Sequence, residues 1–270
     1  MQSDNQPWQL KMFHRSIKKQ QKLNALLKLL GDTQGKKCLL VTNGDNNGAL
    51  NWYFREHGGE WTWADVSGEN NAQIAVLLDE PVHAYKENDF GIPDAQFDRV
   101  VSIDVLEHLQ QDQPFLKEVK RVLKPNGKAV VTVPNGDPQL LANQIKWKLG
   151  MTPEVYGHTR AGYTIAELSD SLRTAGLQPK ASGGYSRFVT EMIELVINFG
   201  YVRVLSKKRG GAQPGHIAPV SSGELKTHGM AYKLYSFFFP VAWAVSLFDI
   251  LFPAKTDNAV IVTAIKLDGA

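Results

Sequence analysis

Two apolar, β-branched runs joined by a segment with helical spacing constrain this chain more than any other feature. Residues 100–103 end at Asp104, and residues 129–133 follow a Pro-Asn-Gly turn at 125–127. This order predicts strand, helix, turn and strand, which is the repeating unit of a parallel sheet. Open parallel sheets bind ligands just outside the carboxyl ends of their strands. Asp104 and the residues after it are therefore expected to form one wall of a site.

The same alternation of strand and helix signals runs through most of the chain. Short apolar runs indicate strands, and segments with helical spacing lie between them. Thr164 and Glu167 have the spacing of a capping box, which marks the start of a helix. The predicted fold class is α/β, a Rossmann-like, mostly parallel sheet with helices on both faces. The predicted strands are residues 38–42, 61–64, 82–85, 100–103, 129–133 and 259–265, and the helices include residues 48–56, 71–78, 113–123 and 164–175.

Both ends of the chain depart from this pattern. Residues 8–30 combine apolar residues at helical spacing with five lysines. They predict a helix that either packs on the edge of the domain or lies on an anionic membrane. The apolar stretch 234–252 contains Pro240 and Asp249, so it predicts a helical cap rather than a membrane span. Its outer face could pack on the domain or contact lipid or a partner.

These signals divide the chain into four parts. Residues 1–31 form an N-terminal amphipathic helix, and residues 32–205 form the Rossmann-like core. Residues 206–254 comprise a loop rich in Gly, Pro and Ser followed by the apolar cap, and residues 255–270 return to the core as its final strand.

Composition excludes some classes of protein. The net charge of +3 over 270 residues is too small to indicate nucleic-acid binding. The single cysteine, Cys38, excludes an internal disulfide and a cysteine-based zinc cluster. The polar and then basic N-terminus does not resemble a secretory signal. We therefore expect a cytoplasmic protein, in the solution phase or peripheral on a membrane, and leave its oligomeric state open.

A loop with two glycines follows the first predicted strand. Gly44 and Gly48 allow close approach of a ligand, and Asn46 tolerates the left-handed conformation. These three residues and Asp45 are therefore candidate cofactor contacts. The alternative is a simple turn, which has the same composition. Asp65, which ends the second predicted strand, could accept hydrogen bonds from ribose hydroxyls or could cap a helix. The loop lacks the G-x-G-x-x-G spacing that presents a helix N-terminus to pyrophosphate, which argues against NAD.

The segment 97–135, FDRVVSIDVLEHLQQDQPFLKEVKRVLKPNGKAVVTVPN, closely resembles the middle of class I S-adenosylmethionine (SAM)-dependent methyltransferases. The nearest likeness is to the branch that includes ubiquinone-type O-methyltransferases. This resemblance implies SAM as the cofactor and a seven-stranded sheet whose last strand lies antiparallel beside the fifth. Thr42 and Asn46 depart from the family pattern, which has an acid and a glycine there.

The resemblance also implies roles for individual residues. Asp89 is positioned like the family's adenine-contacting acid, with a simple loop acid as the alternative, and Phe90 could pack on the adenine ring. Asp104 is expected to face the methionine part of the cofactor or the acceptor. Arg160 could bind a carboxylate or phosphate on the acceptor, or lie on the surface. The residues implied at the acceptor pocket are Asn135, His158, Arg160 and Tyr163.

His108 is the candidate general base, because the unperturbed pKa of histidine lies near neutrality. Alternatively, its ring binds backbone and shapes the pocket. Some relatives bind a divalent cation through a Glu-x-x-Glu-His pattern, of which Asp104, Glu107 and His108 are a conservative variant. We favour Glu107 as a helix cap and predict no metal.

The predicted function is methyl transfer from SAM to a small-molecule, lipid or lipid-linked glycan acceptor, at oxygen in preference to nitrogen or carbon. Residues 8–30 and 234–252 provide a membrane-surface contact in this hypothesis. The rival hypothesis is a non-catalytic relative that binds a partner through the apolar cap, and it depends on Thr42 and Asn46. An NAD-dependent enzyme is a second rival.

Overall fold

Seven strands form one mixed sheet in the computed structural model, which describes residues 6–44, 46–68, 70–200 and 229–268. The strands are β1 (Lys37–Thr42), β2 (Glu60–Asp65), β3 (Val82–Ala84), β4 (Phe97–Ile103), β5 (Leu123–Pro134), β6 (Gln178–Tyr185) and β7 (Ala259–Ile265). Their order across the sheet is β3-β2-β1-β4-β5-β7-β6.

The carboxyl ends of the five parallel strands lie at the same edge of the sheet. Strands β1 to β5 run parallel, and β7 is antiparallel to both β5 and β6. This confirms the predicted seven-stranded sheet and the position of the last strand beside the fifth. The carboxyl edge of the sheet is the side on which β1, β2 and β4 end, at Thr42, Asp65 and Ile103.

Both faces of the sheet are buried, which explains why its central strands are apolar without interruption. Successive side chains point to opposite faces, so Leu39 and Val41 pack in one hydrophobic cluster and Leu40 in the other. Helices α1 to α4 supply the cluster that contains Leu40, and α5 and α7 supply the other. The helices are α1 (Trp8–Phe13), α2 (Ile17–Leu30), α3 (Ala49–Glu56), α4 (Asn71–Leu78), α5 (Gln113–Val122), α6 (Leu141–Lys148), α7 (Ile165–Thr174), α8 (Phe188–Gly200) and α9 (Gly229–Ser246).

The N-terminal segment forms two helices instead of the one predicted. Helix α1 ends at Phe13, and α2 begins after Ser16, whose side chain accepts a hydrogen bond from the Lys19 N–H as an N-cap. The apolar spacing continues across this break, so periodicity alone did not reveal it. Helix α2 packs across β5, β6 and β7 and reaches α8. The predicted capping box of Thr164 and Glu167 at the start of α7 is confirmed.

Strand β6 and helices α6 and α8 were absent from the sequence-based assignment. β6 is an edge strand with the sequence QPKASGGY, whose Gly and Pro residues disfavour strand formation in isolation, and it forms because it pairs with β7. The predicted loop 206–229 and the boundary at residue 205 lie almost wholly outside the described residues. The segment predicted as a cap is helical and forms α9 and a following 3-10 helix, Leu247–Leu251.

Replacement of Leu26 tests the docking of α2 on the sheet. Leu26 is fully buried, whereas Asn24 on the same helix is exposed. We expect Leu26→Ala to lower the free energy of unfolding by about 2–5 kcal/mol, since it leaves a cavity between α2 and the sheet. Asn24→Ala is the matched control and should change it by less than about 0.5 kcal/mol. Urea unfolding measures both, and equal values would show that α2 does not contribute to the core.

Candidate active site

Asp65 ends β2, and its fully buried carboxylate accepts hydrogen bonds from four groups of the chain itself. Its Oδ2 accepts from the Thr42 hydroxyl at 2.7 Å and the Gly44 N–H at 2.9 Å. Its Oδ1 accepts from the Ser67 hydroxyl at 2.7 Å and the Gly68 N–H at 2.8 Å. A carboxylate offers about four lone-pair positions, and these four donors fill them. Asp65 therefore joins the ends of β1 and β2 to the loops that follow.

The loop between β1 and α3 folds around its own asparagine side chains. Asn46 Oδ1 accepts from the Gly48 N–H at 3.0 Å, and Asn46 Nδ2 donates to Asn51 Oδ1 at 2.6 Å. Gly48 has a φ of +89° at the N-terminus of α3, and a Cβ there would lie 3.1 Å from Leu77. Glycine is thus required by both conformation and packing. Asn46 is buried within the loop, and Asp45 lies outside the described residues.

Asp104 lies at the carboxyl edge directly after β4. Its φ of +51° is rare for a residue with a side chain, and its N–H donates to the Thr132 carbonyl at 3.0 Å. Its carboxylate forms an ion pair with the Lys22 ammonium, which α2 places above the edge and 5.8 Å from the centre of the Tyr185 ring. Burial raises the pKa of the Tyr185 phenol to about 12, so this neighbour is neutral. Helix α2 therefore covers the wall predicted from the sequence.

His108 lies in a short 3-10 helix, Leu106–His108, four residues beyond Asp104. Its Nδ1 is 3.0 Å from the Gly157 carbonyl oxygen, which can only accept. This contact assigns the proton to Nδ1 and leaves the lone pair on Nε2, as a general base requires. The ring meets His158 edge to face at 4.8 Å. Burial, and then the nearby His108, lowers the pKa of His158 to about 4, so His158 is neutral at physiological pH.

Glu107, His108 and His158 each present a potential ligand atom within 4.8 Å of the others. Nitrogen and carboxylate donors of this kind suit Zn²⁺ or Mn²⁺. The absence of a metal was predicted because Glu107 was expected to act as a helix cap. The structure shows that Glu107 is fully buried and that its backbone carbonyl accepts from the Thr159 N–H at 2.8 Å.

Three residues predicted for the acceptor pocket make contacts within the fold. Asn135 donates through Nδ2 to the Asp257 carbonyl at 2.8 Å and accepts from the Asp137 N–H at 3.1 Å. Tyr163 is 3% exposed, and its hydroxyl accepts from Arg160 Nη1 at 2.7 Å. The Arg160 guanidinium also stacks on the Tyr163 ring, 4.9 Å from its centre. These contacts position the loop beside His158. Tyr163 is too buried to face an acceptor, which corrects the expectation for that residue, whereas Asn135 is half-exposed and its assignment stays a prediction.

The two residues predicted to hold adenine are also placed differently. Phe90 is 1% exposed, because its ring packs with Tyr85 and Phe115 in the core. Its ring therefore stabilises the fold instead of presenting a face to a ligand. Asp89 is exposed, and its Oδ1 accepts from the Gly91 N–H at 2.8 Å, which closes a tight turn. An exposed carboxylate in such a turn is compatible with both alternatives, so the adenine contact of Asp89 stays a prediction.

A buried ionic cluster beside the site escaped the sequence analysis. Glu191 on α8 pairs with Lys18 at 2.5 Å and Lys146 at 3.3 Å, and it accepts from the Ser186 hydroxyl at 2.6 Å. Burial opposes its ionisation, but the two lysines outweigh that effect and lower the pKa of Glu191 to about 2. Only the tertiary position of α8 shows that Lys18 meets this carboxylate. The available signal was two glutamates, Glu191 and Glu194, within the apolar run that forms α8.

Comparison with known proteins agrees with this geometry. Residues 44–131 match the methyltransferase domain family. An 88-residue segment is 39% identical to a protein of Mycolicibacterium smegmatis described as a probable S-adenosylmethionine-dependent methyltransferase, and it covers 32% of this chain and 31% of that relative. Over this third of the chain, the sequence is therefore similar to SAM-dependent methyltransferases. The matched residues include Asp65, Asp104 and His108, whereas His158 and Arg160 lie outside them.

Solved structures share the fold at low identity. A [4+2]-cyclase superposes with a TM-score of 0.58 at 16% identity, over 93% of this chain and 82% of its own. A phosphoethanolamine N-methyltransferase of Haemonchus contortus, solved with S-adenosylhomocysteine, superposes with a TM-score of 0.54 at 14% identity, over 92% of this chain and 53% of its own. At these identities the likeness shows the fold alone.

The residues of the matched segment have the chemical character that a SAM site requires. Asp65 is an acceptor for ribose hydroxyls, and Gly44 and Gly48 provide close backbone approach at positive φ. Two of the four groups that donate to Asp65 are themselves hydroxyls, those of Thr42 and Ser67. Ribose hydroxyls could replace them after side-chain rotation, while the N–H donors of Gly44 and Gly68 stay in place. Binding therefore requires this part of the site to open.

Asp65→Ala should destabilise the protein even without a cofactor. It leaves the half-buried N–H groups of Gly44 and Gly68 without their acceptor, and each such loss costs about 1–3 kcal/mol. We therefore expect the free energy of unfolding to fall by about 2–5 kcal/mol in urea unfolding. Asp89→Ala removes an exposed loop carboxylate and serves as the control, with an expected cost below about 1 kcal/mol. Unchanged stability of Asp65→Ala would contradict the structural role of its carboxylate.

The Glu191 cluster predicts an acid-sensitive contribution to stability. The folded pKa of about 2 lies below the ordinary value of 4.5, so the contribution is complete above about pH 4.5 and is lost as the pH falls towards 2. It amounts to at most about 3 kcal/mol. Glu191→Gln should unfold more easily at neutral pH and show a flatter decline between about pH 5 and 2. Parallel curves for the two proteins in urea unfolding would contradict the low pKa.

Proposed function

We propose that this chain transfers the methyl group of SAM to a hydroxyl of a small-molecule or lipid-like acceptor. One observation carries the proposal: Asp65 and the Gly44–Gly48 loop share the carboxyl edge with Asp104 and His108, all within or beside the segment that matches the methyltransferase family. The matched segment spans only a third of the chain and of its curated relative, so the activity of the whole protein is inferred from the site.

The chemistry assigned to the chain is proton removal and alignment. SAM, when bound, supplies a methyl group on a sulfonium. His108 Nε2 has its lone pair free of the Gly157 contact and can accept the proton of an acceptor hydroxyl as the new oxygen–carbon bond forms. The Gly157 carbonyl orients the ring, and α2 covers the edge and helps to exclude water. The Asp104 carboxylate lies at the same edge, paired with Lys22.

The nature of the acceptor is inferred from the surroundings of this edge. The lysines of α2 and α6 that approach it are paired with Asp104 and Glu191, so the site has no large excess of positive charge. A neutral hydroxyl compound suits such a site better than a polyanion. Helix α8 begins at this edge and contacts the exposed, apolar helix α9, and this proximity favours a lipid-like compound.

A second candidate function is a non-catalytic methyltransferase-fold protein. Two observations favour it: the chain's own donors fill the Asp65 carboxylate, and Lys22 pairs with Asp104 at the wall of the site. Such a protein would retain the fold without binding the cofactor. The cyclase that shares this fold shows that the fold alone does not decide the chemistry.

Titration calorimetry with SAM separates the two candidates. Binding supports the enzyme, and absence of binding at millimolar cofactor supports the non-catalytic protein. For the catalytic step, the protein is incubated with SAM and either a lipid extract or an aqueous metabolite extract, and S-adenosylhomocysteine is quantified. Formation with the lipid extract alone supports a lipid-like acceptor, and formation with the aqueous extract alone supports a water-soluble one.

His108→Gln should reduce the rate of methyl transfer by about 10²- to 10⁴-fold, the usual contribution of a general base. SAM affinity should stay the same, because the change is confined to the acceptor side. His57→Gln is the matched control: His57 follows α3, and its Nε2 lies 3.3 Å from the Gly31 carbonyl. Retention of the full rate in His108→Gln would show that His108 only shapes the pocket.

A further inference from the structure

Helix α9 and the 3-10 helix after it turn a narrow stripe toward the protein. The stripe consists of Tyr235, Phe239, Ala242, Ser246 and Asp249, which recur at the spacing of one helical face. Together with the neighbouring Ser236, they are the less exposed positions of residues 233–251. Three of these five side chains are polar. A helix that packs on a hydrophobic core normally turns apolar residues toward it. This inward stripe is therefore unusually polar.

Hydrogen bonds hold this stripe in place. The Tyr235 hydroxyl donates to the Arg15 carbonyl near one end of α9. At the other end, Asp249 Oδ1 accepts from the Val189 N–H at 2.8 Å, and the Asp249 carbonyl accepts from Arg187 Nη1 at 3.2 Å. The Val189 contact places a carboxylate at the N-terminus of α8, which its helix dipole favours. Both ends of the segment are thus fixed to the domain.

The rest of the segment is apolar and faces outward. Ten large side chains within residues 234–251 are between 41% and 81% exposed. An ordinary surface helix turns its apolar residues toward the protein and its polar residues toward solvent. This segment has the opposite arrangement, and a large exposed apolar area marks an interaction site. The exposed side chains are Leu234, Phe237, Phe238, Val241, Trp243, Val245, Leu247, Phe248, Ile250 and Leu251. We name this set the apolar surface.

The anchors decide how the apolar surface could meet a bilayer. By length and composition alone, Lys233–Leu251 could cross a membrane. A spanning helix would have to leave both the Arg15 and the Val189 contacts, and the chain enters β7 at Ala259 only a few residues later. The segment can instead lie in the plane of the interface with its inward stripe still on the domain.

The charges around the apolar surface favour an anionic partner. Arg15 lies with its guanidinium 5.2 Å from the centre of the Phe239 ring, and Lys233 and Lys255 are exposed at the two ends of the segment. Residues 6–31, which contain Arg15, include no aspartate or glutamate. Asp249 is the one acidic residue between 229 and 256, and it points inward. Aromatic side chains such as Trp243 suit the headgroup region.

We propose that the apolar surface docks this protein on an anionic lipid bilayer, with α9 in the interfacial plane. The apolar side chains enter the acyl boundary, and Arg15, Lys233 and Lys255 contact lipid phosphates. Helix α8 begins at the carboxyl edge and contacts α9, so docking brings that edge close to the membrane. The proposal deepens the lipid-like acceptor suggested above, but the docking itself does not depend on methyl transfer.

Flotation with vesicles tests the proposal. The full chain is mixed with vesicles of phosphatidylcholine alone or with phosphatidylglycerol added, and the bound fraction is measured. We expect binding to the anionic vesicles and weakening by salt. Ile250→Glu should reduce the partition coefficient by about tenfold or more, since burial of one isoleucine is worth at least that factor. Val76→Glu on α4 is the matched control, because Val76 is 85% and Ile250 81% exposed.

Several results would overturn the proposal. Failure of the unaltered chain to float with anionic vesicles would do so, as would equal binding of Ile250→Glu and Val76→Glu. Dimers that Ile250→Glu dissociates in size-exclusion chromatography, without vesicle binding, would show that a second copy covers the surface. Circular dichroism confirms that both variants fold. Calorimetry with SAM in the absence of vesicles tests the proposed function separately, so each can fail alone.

Discussion

A sheet that is buried on both faces can present chemistry only at the ends of its strands, and the rest of this structure follows from that constraint. Helices α1 to α4 cover one face, and α5 and α7 cover the other. The groups that could bind or react are therefore concentrated at the carboxyl edge, after β1, β2 and β4. That edge holds Asp65, Asp104 and His108. Helices α2 and α8 lie over this edge and contribute charged side chains beside it.

Ion pairs, of which the Glu191 cluster is the most buried, set the positions of the covering helices relative to one another. Glu191 joins α8 to α2 through Lys18 and to α6 through Lys146, and Lys22 joins α2 to Asp104. Ion pairs of this kind contribute little net stability compared with apolar packing, but they cost a great deal when one partner is removed. They therefore favour one arrangement of the helices over alternatives. The same pairing neutralises the lysines, which makes the edge less basic than the sequence suggests.

The Asp65 end of the candidate site is closed by local hydrogen bonds. Thr42 occupies the position at which the family has an acid, and its hydroxyl instead satisfies Asp65. Asn46, which replaces a glycine, uses both ends of its amide to hold its own loop. The two departures noticed in the sequence are thus the two residues that close the loop. Opening it requires the exchange of hydroxyl donors, which needs little backbone movement.

Prediction from sequence worked where local pattern and burial agree. The β4, α5 and β5 unit, the antiparallel last strand and the capping box of α7 have strong periodic or capping signals, and all are present. It failed where pairing or packing overrides propensity. β6 depends on β7, and Phe90 was expected on a ligand but fills the core. Asn135 and Tyr163 follow the family pattern, yet their polar atoms bind other parts of the fold.

The sequence by itself determined the α/β class, the methyltransferase likeness and the edge at which a site must lie, because periodicity and strand ends are local properties. Only the tertiary structure decided which charges meet, since Lys22 and Asp104 are distant along the chain. It also decided the orientation of α9. Composition shows only that residues 234–252 are apolar, whereas the anchors at Arg15 and Val189 determine that this apolar side faces outward.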